Sequence, residues 1–384
     1  MWSIPFPDFA SDSPELDFDE IERHQPSPTE RSEETPTEWV DTSRESTYGL
    51  RELEEDLARM GLPWCSEMRS IEASIVPTAS DPGLPPYYVG IWEAGSGQYG
   101  TVILCLPRYY AVAAKWYHAH DAPLPLTELK SKLVAVKVAS TGGIEHAQNE
   151  AGILKTLAEH MEAIESAGLH YFTQLRGCFA RQSGPYFGIP DEASYWLATD
   201  AVFPSLTLGR LEDFCRDAGV AIPEELTLHI LNELMTSLEF LHSHAIAHGD
   251  ISTDNILVQL TDGLPNVIMA DFGLAMENGD CEGDFESLQG EIHFLCSKAR
   301  DSCDKRDHSN CTHSNDWFDF RAILMSHYEV ASFESVLKRL VGMSLRMLET
   351  TTSEKKAEMA KLLRDATVAQ ENQLASNFRT MGLI

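Results

Sequence analysis

The run Gly95-Ser96-Gly97-Gln98-Tyr99-Gly100-Thr101-Val102 sets three glycines at the spacing G-x-G-x-x-G-x-V. Residues without a Cβ let the backbone approach phosphate oxygens closely and turn its N–H groups toward the anion. A dinucleotide-binding loop with such glycines would lead straight into a helix. Here Thr101-Val102-Ile103-Leu104-Cys105 continues as a strand, so the spacing predicts a strand–loop–strand flap, a pattern that plain hairpins share. Lys137 is the lone charge in Leu133-Val134-Ala135-Val136-Lys137-Val138. On the inner face it would grip nucleotide phosphates; on an edge strand it would be an ordinary solvated lysine. Lys115 lies nearer the glycines, but its surroundings are less strand-like, and Lys137 is preferred. Glu150 opens a helical pattern with Ile153, Leu154 and Leu157 apolar. From there it can reach Lys137 as an ion pair, although a surface glutamate fits that segment equally well.

Leu226 to His242 reads as a helix whose stripe, Leu228, Leu231, Leu234, Leu238 and Leu241, is core packing. Ala245-Ile246-Ala247-His248-Gly249-Asp250-Ile251-Ser252-Thr253-Asp254-Asn255 follows, and then a strand ending in Asp271-Phe272-Gly273. H-x-D-x-x-x-x-N, a strand and D-F-G, downstream of G-x-G-x-x-G-x-V, V-A-V-K and a helix glutamate, together resemble the eukaryotic-type protein kinase superfamily. The resemblance runs from about Tyr87 to Leu345.

That resemblance implies an α+β, bilobal fold with a small β-rich N-lobe and a larger helical C-lobe. It implies ATP as phosphate donor and Mg²⁺ as metal, in a reaction that needs positioning and charge neutralisation. Asp250 would accept or orient the proton of the attacking hydroxyl. Asn255 and Asp271 would hold Mg²⁺, which suits hard oxygen ligands. Lys137, locked by Glu150, would place the α- and β-phosphates, and Gly95, Gly97 and Gly100 would cap them. Val102, Ala135 and Leu257 would sandwich adenine, and His248 would support Phe272. Tyr195 to Phe203 matches the last N-lobe strand and hinge. There Thr199 would guard the back pocket, with adenine bonded by backbone groups near Asp200 and Val202. Leu208 to Asp217 would be the first C-lobe helix.

The pattern is broken in places. Gly249 stands where the family carries the arginine of H-R-D, which pairs with a phosphorylated activation loop, so activity is expected not to wait for that phosphate. Ser252 replaces a lysine that steadies the γ-phosphate. Such substitutions also occur in small-molecule kinases of the aminoglycoside and choline type, and H-x-D-I-S in divergent fungal protein kinases. Gly290 to Lys298 aligns with G-T-x-x-F-x-A-P-E, with Cys296-Ser297-Lys298 in place of A-P-E. Asp316, in Asn315-Asp316-Trp317, would bond the catalytic-loop backbone. His293, Cys296, Cys303, His308, Cys311 and His313 are zinc-ligand types, but their spacing matches no standard finger.

These motifs need a framework. Residues 1–86 read as an acidic, Pro/Ser/Thr-rich arm, largely disordered, with a short helix near 49–60. Residues 87–345 read as the kinase-like domain, N-lobe about 87–203 and C-lobe about 204–345, with 106–132 an insertion joining two strands. Residues 346–384 read as a helical tail. Ser13-Pro14, Ser27-Pro28 and Thr35-Pro36 suit a proline-directed kinase. With 29 basic and 60 acidic residues the net charge is −31. That disfavours nucleic acid and anionic membrane as partners and favours basic protein acceptors. No apolar run is long enough to span a membrane, and the start lacks a secretory pattern. Eight irregularly spaced cysteines fit a reducing, intracellular compartment, cytoplasmic or nuclear. The favoured reading is an ATP-dependent protein kinase directed at Ser or Thr. A small-molecule kinase and a non-catalytic kinase-fold scaffold are the alternatives.

Overall fold

Runs of β-branched and aromatic residues, broken by turns, build a five-stranded antiparallel sheet in the order β1-β2-β3-β5-β4. Its strands are β1 (Tyr88–Gly97), β2 (Gly100–Pro107), β3 (Val134–Ala139), β4 (Leu175–Arg181) and β5 (Ser194–Asp200). The structure is a computed structural model that describes residues 55, 57–62, 65–75, 84–85, 88–165, 171–181, 194–298, 315–326 and 332–384. The chain divides into Met1–Val40 and Asp41–Ile384, and every described residue belongs to the second unit. The Ser/Thr-Pro pairs of the acidic arm therefore lie outside the described residues, whereas its last part, expected to be largely disordered, forms the helix Ser66–Ile75 and packs Leu57 and Leu62 beside it.

Strand alternation decides what the sheet offers on each face. Cys105, Val134, Val136, Trp196 and Ala198 pack together on one side. The other side carries two cross-strand rows, Leu104–Ala135–Thr199 and Val102–Lys137–Leu197. A one-residue slip in β3 would exchange Lys137 for Val136 on that face.

Between β2 and β3 the expected insertion folds into two helices, α2 (Arg108–Ala119) and α3 (Leu126–Lys130). The preceding helix α1 (Ser66–Ile75) packs on α2 through Met68, with Leu57, Leu62, Val112 and Ala113 completing the contact. Helix α4 (Ile144–Glu165) packs on the lysine-bearing face and buries Ile153, Leu154 and Leu157 in one cluster with Leu197 of β5.

After β5 the chain becomes mainly helical. A short strand β6 (Leu206–Thr207) leads to α5 (Leu208–Ala218), whose first turn is capped by the Thr207 hydroxyl accepting from the Arg210 N–H at 3.2 Å. Helix α6 (Glu224–Ser243) buries its whole leucine stripe. Then come β7 (Ile246–Ala247), β8 (Ile256–Thr261), β9 (Leu264–Met269) and β10 (Met276–Glu277). Strands β6, β8 and β9 form one small sheet, and β7 pairs with β10. Helices α7 (Cys281–Lys298), α8 (Asn315–Ser326), α9 (Phe333–Glu349) and α10 (Ser353–Thr380) complete the fold.

Helix α9 runs across residue 345, and α10 is buried along one side. Met359, Leu363 and Ala366 of α10 join the large helical core, whereas Leu374 and Phe378 join the core of β1, β2, α2 and α3. No helix among the described residues is long and apolar enough to cross a membrane.

Candidate active site

The lysine-bearing face of the sheet and the β6–β8–β9 region enclose a cleft of about 250 Å³ that opens to solvent. Lys137 sits at its inner end. Its Nζ donates to Glu150 Oε2 at 2.7 Å and to Asp271 Oδ1 at 2.7 Å. Burial alone would lower the Lys137 pKa. Glu150 and Asp271 outweigh it and hold the ammonium above its ordinary 10.5. Lys115, the rival lysine, lies on α2 and bonds Ser74.

Asp271 has φ 61° and ψ 76°, a left-handed backbone unusual outside glycine. Helix α4 holds the segment behind it. Asn149 Nδ2 donates to the carbonyls of Phe272, Gly273 and Ala275, the last at 2.8 Å. Consecutive residues of one helix thus fix the lysine and the Asp-Phe-Gly turn. Phe272 is fully buried, its ring centroid 4.7 Å from that of His248 and 5.7 Å from that of Phe172.

Asn255 Nδ2 donates to Asp250 Oδ2 at 2.8 Å and to the Asp250 carbonyl at 3.0 Å. His248 is buried, which pushes its pKa below the ordinary 6.5. As a neutral ring it donates from Nε2 to the Ala270 carbonyl at 3.2 Å and accepts the Asp250 N–H at Nδ1, 3.3 Å away. Those two bonds define one tautomer.

The loop is anchored from below by a residue that the sequence did not single out. Asp284 of α7 is 2% exposed and accepts three bonds. They come from the N–H of His248 (2.8 Å), the N–H of Gly249 (2.8 Å) and His242 Nε2 (2.9 Å). Burial opposes its charge, but these donors hold the carboxyl below its ordinary range. This is the place expected for Asp316, which is exposed at the start of α8.

A second correction follows. Gly290–Lys298 does not continue an extended activation segment but forms the end of α7. Phe285, Leu288, Ile292, Leu295 and Cys296 recur at helical spacing and are buried. Only residues 272–280 separate Asp271 from that helix. Cys296 is a packed core thiol that burial pushes up to about 12. His293 shares its helix, while Cys303, His308, Cys311 and His313 lie outside the described residues. Among the described residues no three His, Cys, Asp or Glu side chains group as metal ligands.

Gly95, Val102, Ala135, Lys137, Glu150, Thr199, Asp200, Val202, Asn255, Leu257 and Asp271 all line the cleft. Gly97 and Gly100 pair across the hairpin tip outside its wall, and Asp250 joins it through Asn255. Gly100 has φ 155°, and a Cβ there would meet the Val138 carbonyl oxygen at 2.3 Å, so β3 alone requires this glycine. The oxygens of Asp271 and Asn255 fit a hard divalent cation, which takes one or two protein ligands beside phosphate oxygens and water. Sequence reasoning missed Arg210 and Gln370 on the cleft wall. Arg210 Nη2 donates to the Ala94 carbonyl at 2.9 Å, tying α5 to β1 across the mouth. A cationic residue in the first turn of a helix gives no sign of such a reach.

The comparisons with known proteins agree with this architecture. A probable serine/threonine-protein kinase of Dictyostelium discoideum is 43% identical over 74 residues, 19% of this chain and 15% of its own. Ribosomal protein S6 kinase alpha-1 of Mus musculus is 31% identical over 124 residues, 32% of this chain and 16% of its own. A serine/threonine-protein kinase of Saccharomyces cerevisiae is 33% identical over 90 residues, 23% of this chain and 10% of its own. The chain thus spans about a sixth or less of the length of these curated relatives. The family model described as protein kinase domain matches residues 88–326. Matched over that span, the chain belongs to the eukaryotic-type protein kinase family, with its bilobal α+β fold.

Proposed function

We propose that the protein transfers the γ-phosphate of ATP to a hydroxyl of a protein acceptor, serine or threonine. One observation carries the reading: Lys137 bridges Glu150 and Asp271 at 2.7 Å each on the wall of a cleft. Lys137 places the α- and β-phosphates, and Glu150 keeps it from swinging away. Val102, Ala135 and Leu257 offer apolar faces to the base. Thr199 closes the inner end, and backbone groups near Asp200 and Val202 bond the base edge. Gly95, Gly97 and Gly100 cover the phosphates from the hairpin.

The acceptor oxygen attacks the γ-phosphorus, an O–P bond forms, the bond to the β,γ-bridging oxygen breaks, and ADP leaves. Asp250 takes the hydroxyl proton, its carboxylate aimed by Asn255. Asn255 and Asp271 would hold Mg²⁺, which would supply neutralisation of phosphate charge. A second reading, a small hydroxylated acceptor, is favoured by the nine-residue span 272–280, which leaves little chain on which to dock a peptide.

The test is Mg²⁺-dependent turnover of labelled ATP with generic basic and acidic proteins, choline and aminoglycosides as acceptors. Labelled protein from wild type, at least about 100-fold less from Lys137→Met and from Asp271→Ala, supports the proposal. Labelled choline or aminoglycoside alone supports the second reading. Binding of ATP without any transfer would leave a scaffold.

A further inference from the structure

Helix α10 lays one face against both lobes. Met359, Leu363 and Ala366 enter the helical core, and Leu374 and Phe378 enter the core beside the sheet. Spacing of three and four continues that face through position 370, where an apolar residue would complete it. Gln370 stands there instead. It is half-buried, lines the cleft, and among the described residues no hydrogen bond to its side-chain amide is found.

The helix is firmly held on both sides of this point. Asn377 Nδ2 donates to the Ile91 carbonyl of β1 at 2.9 Å, and Glu371 pairs with Lys130 of α3 at 2.5 Å. At the other end Lys355 pairs with Glu224, at 3.2 Å, and with Glu225 at the start of α6. Gln370 is thus a polar side chain held on a rigid element, facing a cavity at the gap between two cores. The hinge residues Ala201 and Phe203 and the strand residue Trp92 pack on the cluster that contains Leu374, one turn further on. The cleft wall at which Gln370 stands also includes the hinge residues Asp200, Val202 and Phe203. Ser205 and Thr207 also line the cleft.

We propose that Gln370 is a nucleotide-specificity residue, contributed by the C-terminal helix, whose amide hydrogen-bonds the ribose hydroxyls of the bound nucleotide. The inference rests on the nucleotide reading of the cleft given above. The base lies against apolar walls and needs no such amide. The sugar carries adjacent hydroxyls that both donate and accept, as an amide does.

The experiment titrates the full chain with ATP and with 2′,3′-dideoxy-ATP, in Mg²⁺, by calorimetry, for wild type and Gln370→Leu. Wild type should bind ATP about fivefold more tightly than the dideoxy compound, the size of one net hydrogen bond. Gln370→Leu should lose that preference, binding ATP about fivefold more weakly and dideoxy-ATP as wild type does. Its melting temperature should match or exceed wild type, because leucine completes the apolar face. Equal weakening of both nucleotides, or no change with ATP, overturns the role of Gln370 while the cleft remains a nucleotide site. Failure of wild type to bind either compound overturns both.

Discussion

At the scale of single residues, the cluster around Lys137 was readable because its members recur at characteristic spacings. Lys137, Glu150, Asn255 and Asp271 meet on one cleft wall, though 134 positions separate the lysine from its second carboxylate. Asp284 was not readable. Nothing in a helix full of acids marks which carboxylate will be buried under a loop 35 residues away. Asp316 was expected there because the run from Asn315 to Phe320 resembles the start of the family's central C-lobe helix. Asp284→Asn keeps the shape but removes the charge and one strong acceptor. It should cost about 2–4 kcal/mol of stability and lower kcat more than KM, read by thermal melting and steady-state kinetics. His248 makes a pH prediction. Its folded pKa is lowered, so below about 6.5 the unfolded chain takes up a proton that the folded chain refuses. Stability contributed by His248 is present above that pH and is lost as pH falls. Melting temperature between pH 7.5 and 5.5 should drop more steeply for wild type than for His248→Gln.

At the scale of elements, the sheet and α6 were legible from period two and from the leucine stripe. The fate of 290–298 was not read correctly, although Phe285, Leu288, Ile292 and Leu295 already carried a helical period. The loop above α7 carries its own constraint. Gly249 has φ 74°, and a Cβ would meet the Leu274 carbonyl oxygen at 2.7 Å. Inserting the arginine of the H-R-D pattern at position 249 should therefore harm this chain. Gly249→Arg is expected to destabilise by about 1–3 kcal/mol and to reduce turnover, with Gly249→Ala close behind. A gain of activity in Gly249→Arg would show that the loop relaxes.

At the scale of the whole molecule, α10 belongs to both cores. That was hidden because its apolar residues look like those of any surface helix; where the helix docks is a tertiary fact. Phe378 is fully buried between β1, α2 and α3. Phe378→Ala should cost about 3–5 kcal/mol in denaturant unfolding. It should also weaken ATP binding, because the same helix carries Gln370. The brevity of 272–280 reaches further. Phe272, Gly273, Leu274, Ala275, Met276, Glu277, Asn278, Gly279 and Asp280 include no serine, threonine or tyrosine. An upstream kinase finds no site in that stretch to modify, and position 249 offers no guanidinium to receive the mark. On the proposed reading, a phosphate on this stretch is not what switches the enzyme on.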